Sequence, residues 1–360
     1  MPAAAVPLPL IDPFDRRVKD LRISITDRCN FRCTYCMPAE GMHWLPRDEL
    51  LTYEEQARIA RVCVERFGFE AIRITGGEPT LRAHLPRLIG MLAPLDVDLA
   101  LTSNGVKLPE MAHDLAAAGL RRINVSLDSL RPDTFTALTR RNDLERVLAG
   151  VDAALDAGLD PVKVNCVVIR GVNDDEIVDL AAYGRAKGVG LRFIEFMPLD
   201  AEGTWSMDQV VPAREILDRV DAAFPLEADV APGDTEPATR YRYRDGAGAV
   251  GVIPSVSEPF CDHCDRVRVT AEGKFRTCLF ALEEFDLRGI LRDGNDAGGD
   301  HDADDARDVQ IDDRLASEIE RAVGTKWAGH RIGQVNFVRP ARSMSQIGGA
   351  SCRERVSECV

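Results

Sequence analysis

The chain has 360 residues with 45% hydrophobic content, enough to bury the core of one large domain or two medium ones. Its 45 basic and 59 acidic residues give a net charge of -14, which argues against a surface for nucleic acid or anionic lipid. The sequence contains no apolar run of about 18 residues and no signal-peptide pattern at its start, so we expect no membrane span and a cytoplasmic location.

Short apolar runs alternate with helix-period segments through the first two hundred residues. The predicted strands are Leu21–Thr26, Ala71–Thr75, Leu99–Ser103, Arg122–Ser126, Val162–Ile169 and Leu191–Phe196. The predicted helices between them include Thr52–Phe67, Pro109–Ala118, Asp143–Ala157 and Asp174–Lys187, each followed by a glycine suited to a C-cap. Repeated βαβ units predict an α/β fold with a parallel sheet. Six units are too few for an eight-stranded barrel, so we expect a partial (β/α)6 TIM-type barrel that is open on one side.

The alternation stops after Pro198, and a turn-rich, charged segment precedes a second unit that carries the later cysteines. Nine aspartates between Asp293 and Asp313 predict a disordered surface insertion within this unit. We expect the second unit to close the open side of the barrel. The predicted organisation is an N-terminal extension (1–20), the barrel (21–235), a C-terminal cluster domain (236–349) with its acidic insertion (293–313), and an extra tail (350–360).

The first cysteine group, Cys29-x3-Cys33-x2-Cys36, directly follows the first predicted strand. Three thiolates on one loop can hold three corners of a four-iron cluster and leave the fourth iron open to a small molecule. The alternative is a structural zinc loop, for which His43 is the nearest fourth ligand.

The second cysteine group, Cys261-x2-Cys264-x13-Cys278, again supplies three thiolates, and Arg266 and Arg268 follow Cys264 closely. Taken alone, this group is about equally compatible with a zinc ribbon in which His263 is the fourth ligand. Beside the first group, a second open iron–sulfur cluster is favoured.

The first cysteine loop and the sequence Gly76-Gly77-Glu78-Pro79 resemble the motifs of the radical S-adenosylmethionine enzymes. The resemblance implies that the open iron chelates the methionine part of S-adenosylmethionine. Reduction by one electron would then release a 5'-deoxyadenosyl radical that takes hydrogen from the substrate. The residues that it assigns to S-adenosylmethionine are Tyr35, Gly77, Ser126 and Met197.

With the second cysteine group, the chain resembles the GTP 3',8-cyclase family of molybdenum cofactor biosynthesis from about Leu21 to Gly349. This resemblance implies two [4Fe-4S] clusters, with guanine bound at the second. It also implies that hydrogen is taken from ribose C3' and that the carbon radical attacks guanine C8. No phosphate-binding Walker loop occurs, so side chains must hold the triphosphate. The implied GTP contacts are Arg22, Arg73, Thr102, Lys163, Arg192, Arg266 and Arg268.

The implied partners are a flavodoxin or ferredoxin as electron donor and cyclic pyranopterin monophosphate synthase as the next enzyme, while a homodimer is left open. Two features depart from the family pattern. Ala71 stands where relatives often carry a basic residue, and eleven residues follow the pair Gly348–Gly349, which in relatives assists cofactor cleavage from the C-terminus. The rival interpretations are a two-cluster radical enzyme that modifies peptides and a non-catalytic zinc protein.

Overall fold

The computed structural model describes residues 7–199, 203–229, 238–293, 301–335, 337–340 and 347, with the backbone alone for 301–306. The strands are β1 (Leu10–Ile11), β2 (Arg17–Val18), β3 (Asp20–Ser24), β4 (Ala71–Thr75), β5 (Asp98–Ser103), β6 (Arg122–Ser126), β7 (Val162–Val168), β8 (Gly190–Glu195), β9 (Leu226–Ala228), β10 (Thr239–Tyr243), β11 (Ala249–Ile253), β12 (Arg266–Val269), β13 (Lys274–Arg276) and β14 (Phe285–Asp286). The helices are α1 (Tyr53–Phe67), α2 (Leu85–Leu92), α3 (Leu108–Ala117), α4 (Pro132–Thr139), α5 (Leu144–Asp156), α6 (Ile177–Lys187), α7 (Ala213–Ala223), α8 (Leu287–Arg292) and α9 (His301–Val323).

One 12-stranded sheet organises the molecule, in the order β14-β13-β12-β3-β4-β5-β6-β7-β8-β11-β10-β9. The six parallel strands β3 to β8 are those predicted from the sequence, and the α/β fold with a mostly parallel sheet is confirmed. The second unit extends both edges, because β12 pairs with β3 and β11 pairs with β8, both in parallel. The described strands thus form an open sheet rather than a closed barrel.

Each central strand separates two kinds of residue onto its two faces. In β7, Val162, Val164 and Cys166 are buried against the helical layer, while Lys163 and Asn165 lie on the opposite face. Successive residues of a strand point to opposite sides, so this alternation turns a row of polar side chains towards the concave face of the sheet.

The borders of α1 follow the local chemistry that the sequence indicates. The Thr52 hydroxyl accepts a hydrogen bond from the Glu55 N–H at 3.1 Å, and the Glu55 carboxylate accepts one from the Thr52 N–H at 2.7 Å. At the other end, Gly68 takes the left-handed conformation with φ of 66° and donates to the last carbonyls of the helix.

The acidic segment differs from the prediction. Residues 301–313 begin the long helix α9 instead of a disordered insertion, while 294–300 lie outside the described residues. Arg58 of α1 donates to Asp308 and Asp312 at 2.6 Å each, which compensates part of the negative charge. Ile311 and Leu315, four residues apart, are buried on the same side of the helix. Disorder was therefore the wrong expectation for the described part of this segment.

The predicted border between the two units, at residue 235, also falls outside the described residues, and β9 and β10 pair antiparallel across that gap. None of the helices in the described ranges combines the length and apolar character that a membrane span requires.

Candidate active site

Arginines lie in one row across adjacent strands of the sheet. Arg268 of β12 is in register with Arg22 of β3, and Arg22 is in register with Arg73 of β4. Residues in register share a face of the sheet, where like charges repel each other. The repulsion between these guanidinium groups destabilises the site when it is empty, and a bound anion offsets that repulsion.

These arginines line a cavity of about 480 Å³ on the concave face. Most of the residues predicted to contact the substrate line it together: Arg22, Arg73, Thr102, Arg192, Arg266 and Arg268. Lys163 lies in register with Asn124 and Gly190 on that face but is not among the described residues that line the cavity.

Buried guanidinium groups lie close to one another in this cavity. Burial lowers the pKa of Arg268 to about 9, and repulsion from Arg22 and Arg266 adds to this effect. Burial also lowers the pKa of Arg22 to about 10, although Asp20 opposes it. Both guanidinium groups still carry their charge at neutral pH, so the arginine row offers a binding surface for an anion.

Six carboxylates also line the cavity and balance much of this charge, and those of Asp98 and Asp20 pair with its arginines. Asp98 accepts from Arg73 at 2.7 Å and from Arg122 at 2.5 Å, and Asp20 lies 3.5 Å from Arg73. Arg122 also lines the cavity, and sequence reasoning missed it. The sequence could have predicted this position. Alternate residues of a strand share a face, so Arg122 and Asn124 lie on the same face as Ser126.

A smaller cavity of about 40 Å³ lies at the first cysteine loop. It is lined by the three cysteines and by three of the four residues predicted for S-adenosylmethionine: Cys29, Cys33, Cys36, Tyr35, Gly77 and Ser126. Met197, the fourth, lines the larger cavity instead. Tyr35, Ser126 and Asp128 line both cavities, so the two spaces adjoin.

Gly77 lies where no side chain fits. A Cβ atom there would come within 2.4 Å of the carbonyl oxygens of Asp27 and Arg28. The next residue, Glu78, is buried, and its carboxylate accepts hydrogen bonds from Ser103 at 2.8 Å and from the Asn104 N–H at 2.6 Å. Glu78 thus ties the ends of β4 and β5 together beside the cysteine loop.

Asp128 fixes the tyrosine between the two cavities. The Tyr35 hydroxyl donates to its carboxylate, and the Val167 N–H donates to the other oxygen at 2.8 Å. Burial raises the pKa of Asp128 to about 6, despite these two hydrogen bonds.

Glu195, at the end of β8, organises the loop before the second cysteine group. Its carboxylate accepts from the N–H groups of Ala213, Val256 and Ser257, each at 2.7 Å. The sequence placed Glu195 only at a strand end, and this role depends on chain segments that are distant in sequence.

The second cysteine group lies beside the arginines of the large cavity. Burial raises the pKa of the Cys264 thiol, but the charges of Arg266 and Lys326 and a hydrogen bond from the Arg266 N–H lower it, and the net pKa is lowered. His263, the alternative zinc ligand, is exposed. Among the described residues, no three His, Cys, Asp or Glu side chains are grouped to hold a single metal ion.

Both cysteine groups fit iron–sulfur clusters by the chemistry of their donors. Each consists of three thiols, and sulfur ligands suit such clusters. The pair Gly348–Gly349 and the tail 350–360 lie outside the described residues, while Ile347, directly before the pair, is buried.

Comparisons with known proteins agree with this geometry. The family model described as the radical SAM superfamily matches residues 23–184, and that of molybdenum cofactor synthesis C matches residues 189–331. A GTP 3',8-cyclase of Mycobacterium sp. strain KMS is 46% identical, over 97% of this chain and 96% of the relative. A GTP 3',8-cyclase of Streptomyces coelicolor is 47% identical, over 94% of this chain and 96% of the relative.

Among solved structures, Streptococcus suis SuiB bound to S-adenosylmethionine covers 87% of this chain and 68% of its own, with 15% identity and a TM-score of 0.52. A further SuiB structure has a TM-score of 0.54 at 14% identity, with 86% of this chain and 69% of its own covered. At such identities the likeness is one of fold. On the sequence relatives and the matched domains, the chain belongs to the radical S-adenosylmethionine superfamily and, within it, to the GTP 3',8-cyclase family.

Proposed function

We propose that this protein converts GTP into (8S)-3',8-cyclo-7,8-dihydroguanosine 5'-triphosphate, the first step of molybdenum cofactor biosynthesis. The observation that carries the proposal is the row formed by Arg268, Arg22 and Arg73 in a cavity that adjoins the first cysteine loop. Such a row suits a triphosphate, because guanidinium groups bind phosphate oxygens through paired hydrogen bonds.

The triphosphate would lie against the strands β12, β3 and β4. Arg266 and Arg268 would hold it from the second unit, with Arg22, Arg73, Thr102 and Arg192 on the central strands. Lys163 belongs to the proposed set because it lies on the same face of the sheet, in register with Asn124 and two residues further along the strands than the arginine row. Arg122 is an addition, since it shares Asp98 with Arg73 and can turn to an anion that displaces this carboxylate.

S-adenosylmethionine would bind at the first cysteine loop. As a sulfonium it is a cation, and the carboxyl groups of Glu78 and Asp128 line the small cavity beside the cysteines. Gly77 leaves room for its methionine part, while Tyr35, Ser126 and Met197 would contact the rest. The cluster and S-adenosylmethionine together would supply the radical chemistry that removes hydrogen from ribose C3'.

The second cysteine group would hold a second [4Fe-4S] cluster, at which guanine binds. This arrangement stretches GTP from Cys261, Cys264 and Cys278 to the arginine row, so that its ribose faces the first site. We further propose that the enzyme is cytoplasmic and that a flavodoxin or ferredoxin supplies its electron. Its product would pass to cyclic pyranopterin monophosphate synthase.

The test is anaerobic turnover of the reconstituted protein with S-adenosylmethionine, a reductant and GTP. We expect the cyclic nucleotide and 5'-deoxyadenosine to form together, and ATP or a cysteine-containing peptide not to replace GTP. Product formation from a peptide in the absence of GTP would overturn the substrate assignment and favour a peptide-modifying enzyme.

A further inference from the structure

Two buried cations lie directly behind the turn that carries Cys261 and Cys264. Arg16 is 7% exposed and Lys326 is 4% exposed. Arg16 belongs to the hairpin of β1 and β2 near the N-terminus, whereas Lys326 follows α9 near the other end of the chain. Neither residue lines the large cavity.

The hydrogen bonds of Arg16 reach the backbone of the cysteine turn. One terminal nitrogen donates to the carbonyl oxygens of Cys261 and Ala328, and the other donates to that of Trp327, all at 2.6 Å. The planar guanidinium group thereby joins Cys261 to the segment after α9. Within that segment, Gly329 packs so closely that a Cβ atom would lie 2.8 Å from Cβ of Cys261.

Lys326 contacts the other half of the turn. Its ammonium group donates to the carbonyl oxygen of Cys264 at 2.7 Å and to that of Arg266 at 3.2 Å. The two cations therefore hold the backbone at both cysteines of the turn and at the first arginine of β12.

Asp12 serves as the buried counter-ion of both cations. Its carboxylate accepts from Nε of Arg16 at 2.6 Å and lies 3.9 Å from the ammonium of Lys326. The second oxygen accepts from the N–H groups of Phe14 and Arg16, at 2.9 and 3.1 Å, which fixes the hairpin turn itself. A buried charge network of this kind is costly unless its partners are complete, so it persists only where the geometry is held.

We infer that Asp12, Arg16 and Lys326 are positioning residues for the second cluster, and that the N-terminal hairpin is part of this site. The inference rests on the second cluster of the proposed function. None of the three residues lines either of the two cavities described above. They hold the main chain at Cys261 and Cys264, so that these thiols meet one cluster together with Cys278.

The experiment compares Arg16→Met with Arg17→Met, a matched control in the same hairpin. Arg17 is a neighbouring arginine whose hydrogen bond goes to Gly68, away from the cysteine turn. Both variants and the triple variant Cys261→Ser, Cys264→Ser, Cys278→Ser are reconstituted anaerobically. Iron and sulfide per chain are measured together with the electron paramagnetic resonance spectrum of the reduced clusters.

We expect about eight irons per chain in the wild type and in Arg17→Met, and about four in Arg16→Met and in the triple variant. The signal of the first cluster, unchanged in all four proteins, reports that the barrel is folded. In Arg16→Lys, which retains the charge but not the fork of donors, we expect a second-cluster signal of altered shape at intermediate iron content. A change in signal shape distinguishes positioning from a general loss of stability.

The outcomes separate this inference from the proposed function. About eight irons with an unchanged second-cluster spectrum in Arg16→Met would overturn the positioning role while leaving the two-cluster proposal intact. About four irons already in the wild type, unaltered by the triple variant, would overturn the second cluster and the inference with it. If Arg16→Met does not accumulate, Lys326→Met provides the same comparison at the other half of the turn.

Discussion

The two cysteine groups share a donor set but differ in their surroundings. Around the first group, burial raises the pKa of Cys29, and the buried carboxyl groups of Glu78 and Asp128 lie nearby. Around the second, burial also raises the pKa of Cys261 and Cys278, but the nearby cations Arg266 and Lys326 help to bring the pKa of Cys264 below its usual value. The first environment is suited to a cationic ligand and the second to an anionic one, which is the polarity expected of S-adenosylmethionine and GTP.

The loops are also held from different parts of the chain. The carbonyl oxygens of the first loop accept hydrogen bonds from Arg140 and Arg141, which directly follow α4. The second turn depends on Arg16 and Lys326, which come from opposite ends of the chain. The first loop is thus held from within the unit that matches the radical SAM superfamily, whereas the second turn is held by residues that precede and follow that unit.

Replacing each cysteine group separately gives the largest effect. With Cys29, Cys33 and Cys36 changed to serine, we expect all cleavage of S-adenosylmethionine to fall to background, because no cluster is left to reduce it. With the second group changed, we expect cleavage without GTP to persist and formation of the cyclic nucleotide to stop. Chromatographic assay of 5'-deoxyadenosine and nucleotide products checks both; nucleotide product in the second variant would contradict the division of roles.

Truncating an arginine of the row should weaken GTP binding next most strongly. For Arg268→Ala or Arg22→Ala we expect an increase in Kd of about tenfold to hundredfold, since a charge-assisted hydrogen bond contributes about 1.5–3 kcal/mol. Calorimetric titration with GTP measures it. Arg240→Ala is the matched control, because Arg240 lies on the same sheet but pairs with Asp229 at the surface. Equal Kd values in all three variants would contradict the binding of the triphosphate at this row.

A methyl group at Gly77 should disturb the first site alone. Gly77→Ala must displace the carbonyl groups of Asp27 and Arg28, and overpacking of this kind costs about 1–3 kcal/mol. If this cost falls on the bound state, the affinity for S-adenosylmethionine decreases about fivefold to 150-fold. Gly90→Ala in α2 is the control, since a Cβ there meets nothing within 4 Å. Equilibrium dialysis with labelled S-adenosylmethionine tests this, and unaltered affinity in Gly77→Ala would place the cofactor elsewhere.

The smallest effect concerns pH. Because the pKa of Asp128 rises from 3.8 to about 6 in the folded protein, the folded state retains this proton as the pH rises above 4. Protonated Asp128 therefore adds about 1–3 kcal/mol to the free energy of unfolding. This contribution is fully present below about pH 4 and is lost as the pH rises through 6. In Asp128→Asn we expect the free energy of unfolding to decrease less between pH 4 and pH 7. Denaturant unfolding of the metal-free protein at pH 4 to 7 checks it, and parallel curves for both proteins would refute the raised pKa.

The sequence predicts the central sheet well because the physical signal is local. Ala71–Thr75 and Arg122–Ser126 have the predicted bounds, since each is an apolar run between turn-forming residues. Helices α2 and α4 are not among the helices named from the sequence, because each spans only eight residues and is too short to stand out as a helical segment. In α9, the density of aspartates concealed the four-residue spacing of Ile311 and Leu315.

Site residues that belong to sequence motifs could be predicted, whereas residues that act through contacts with distant parts of the chain could not. The cysteines, Gly77 and most of the proposed phosphate contacts lie at strand ends or at alternating strand positions that the sequence displays. No sequence pattern points to the role of Arg16. The strands β1 and β2 on either side of it are two residues long, and its partner Cys261 is 245 positions away. Pairing of this kind is decided by tertiary packing alone.

The most direct test of the central claim, that GTP reacts between the two cysteine groups, uses GTP carrying deuterium at ribose C3'. The reconstituted protein is incubated with it, S-adenosylmethionine and a reductant, and the 5'-deoxyadenosine is analysed by mass spectrometry. We expect one deuterium in 5'-deoxyadenosine and its absence from the cyclic nucleotide product. Unlabelled 5'-deoxyadenosine formed alongside nucleotide product that keeps its deuterium would contradict hydrogen removal at C3' and the placement of the ribose at the first site.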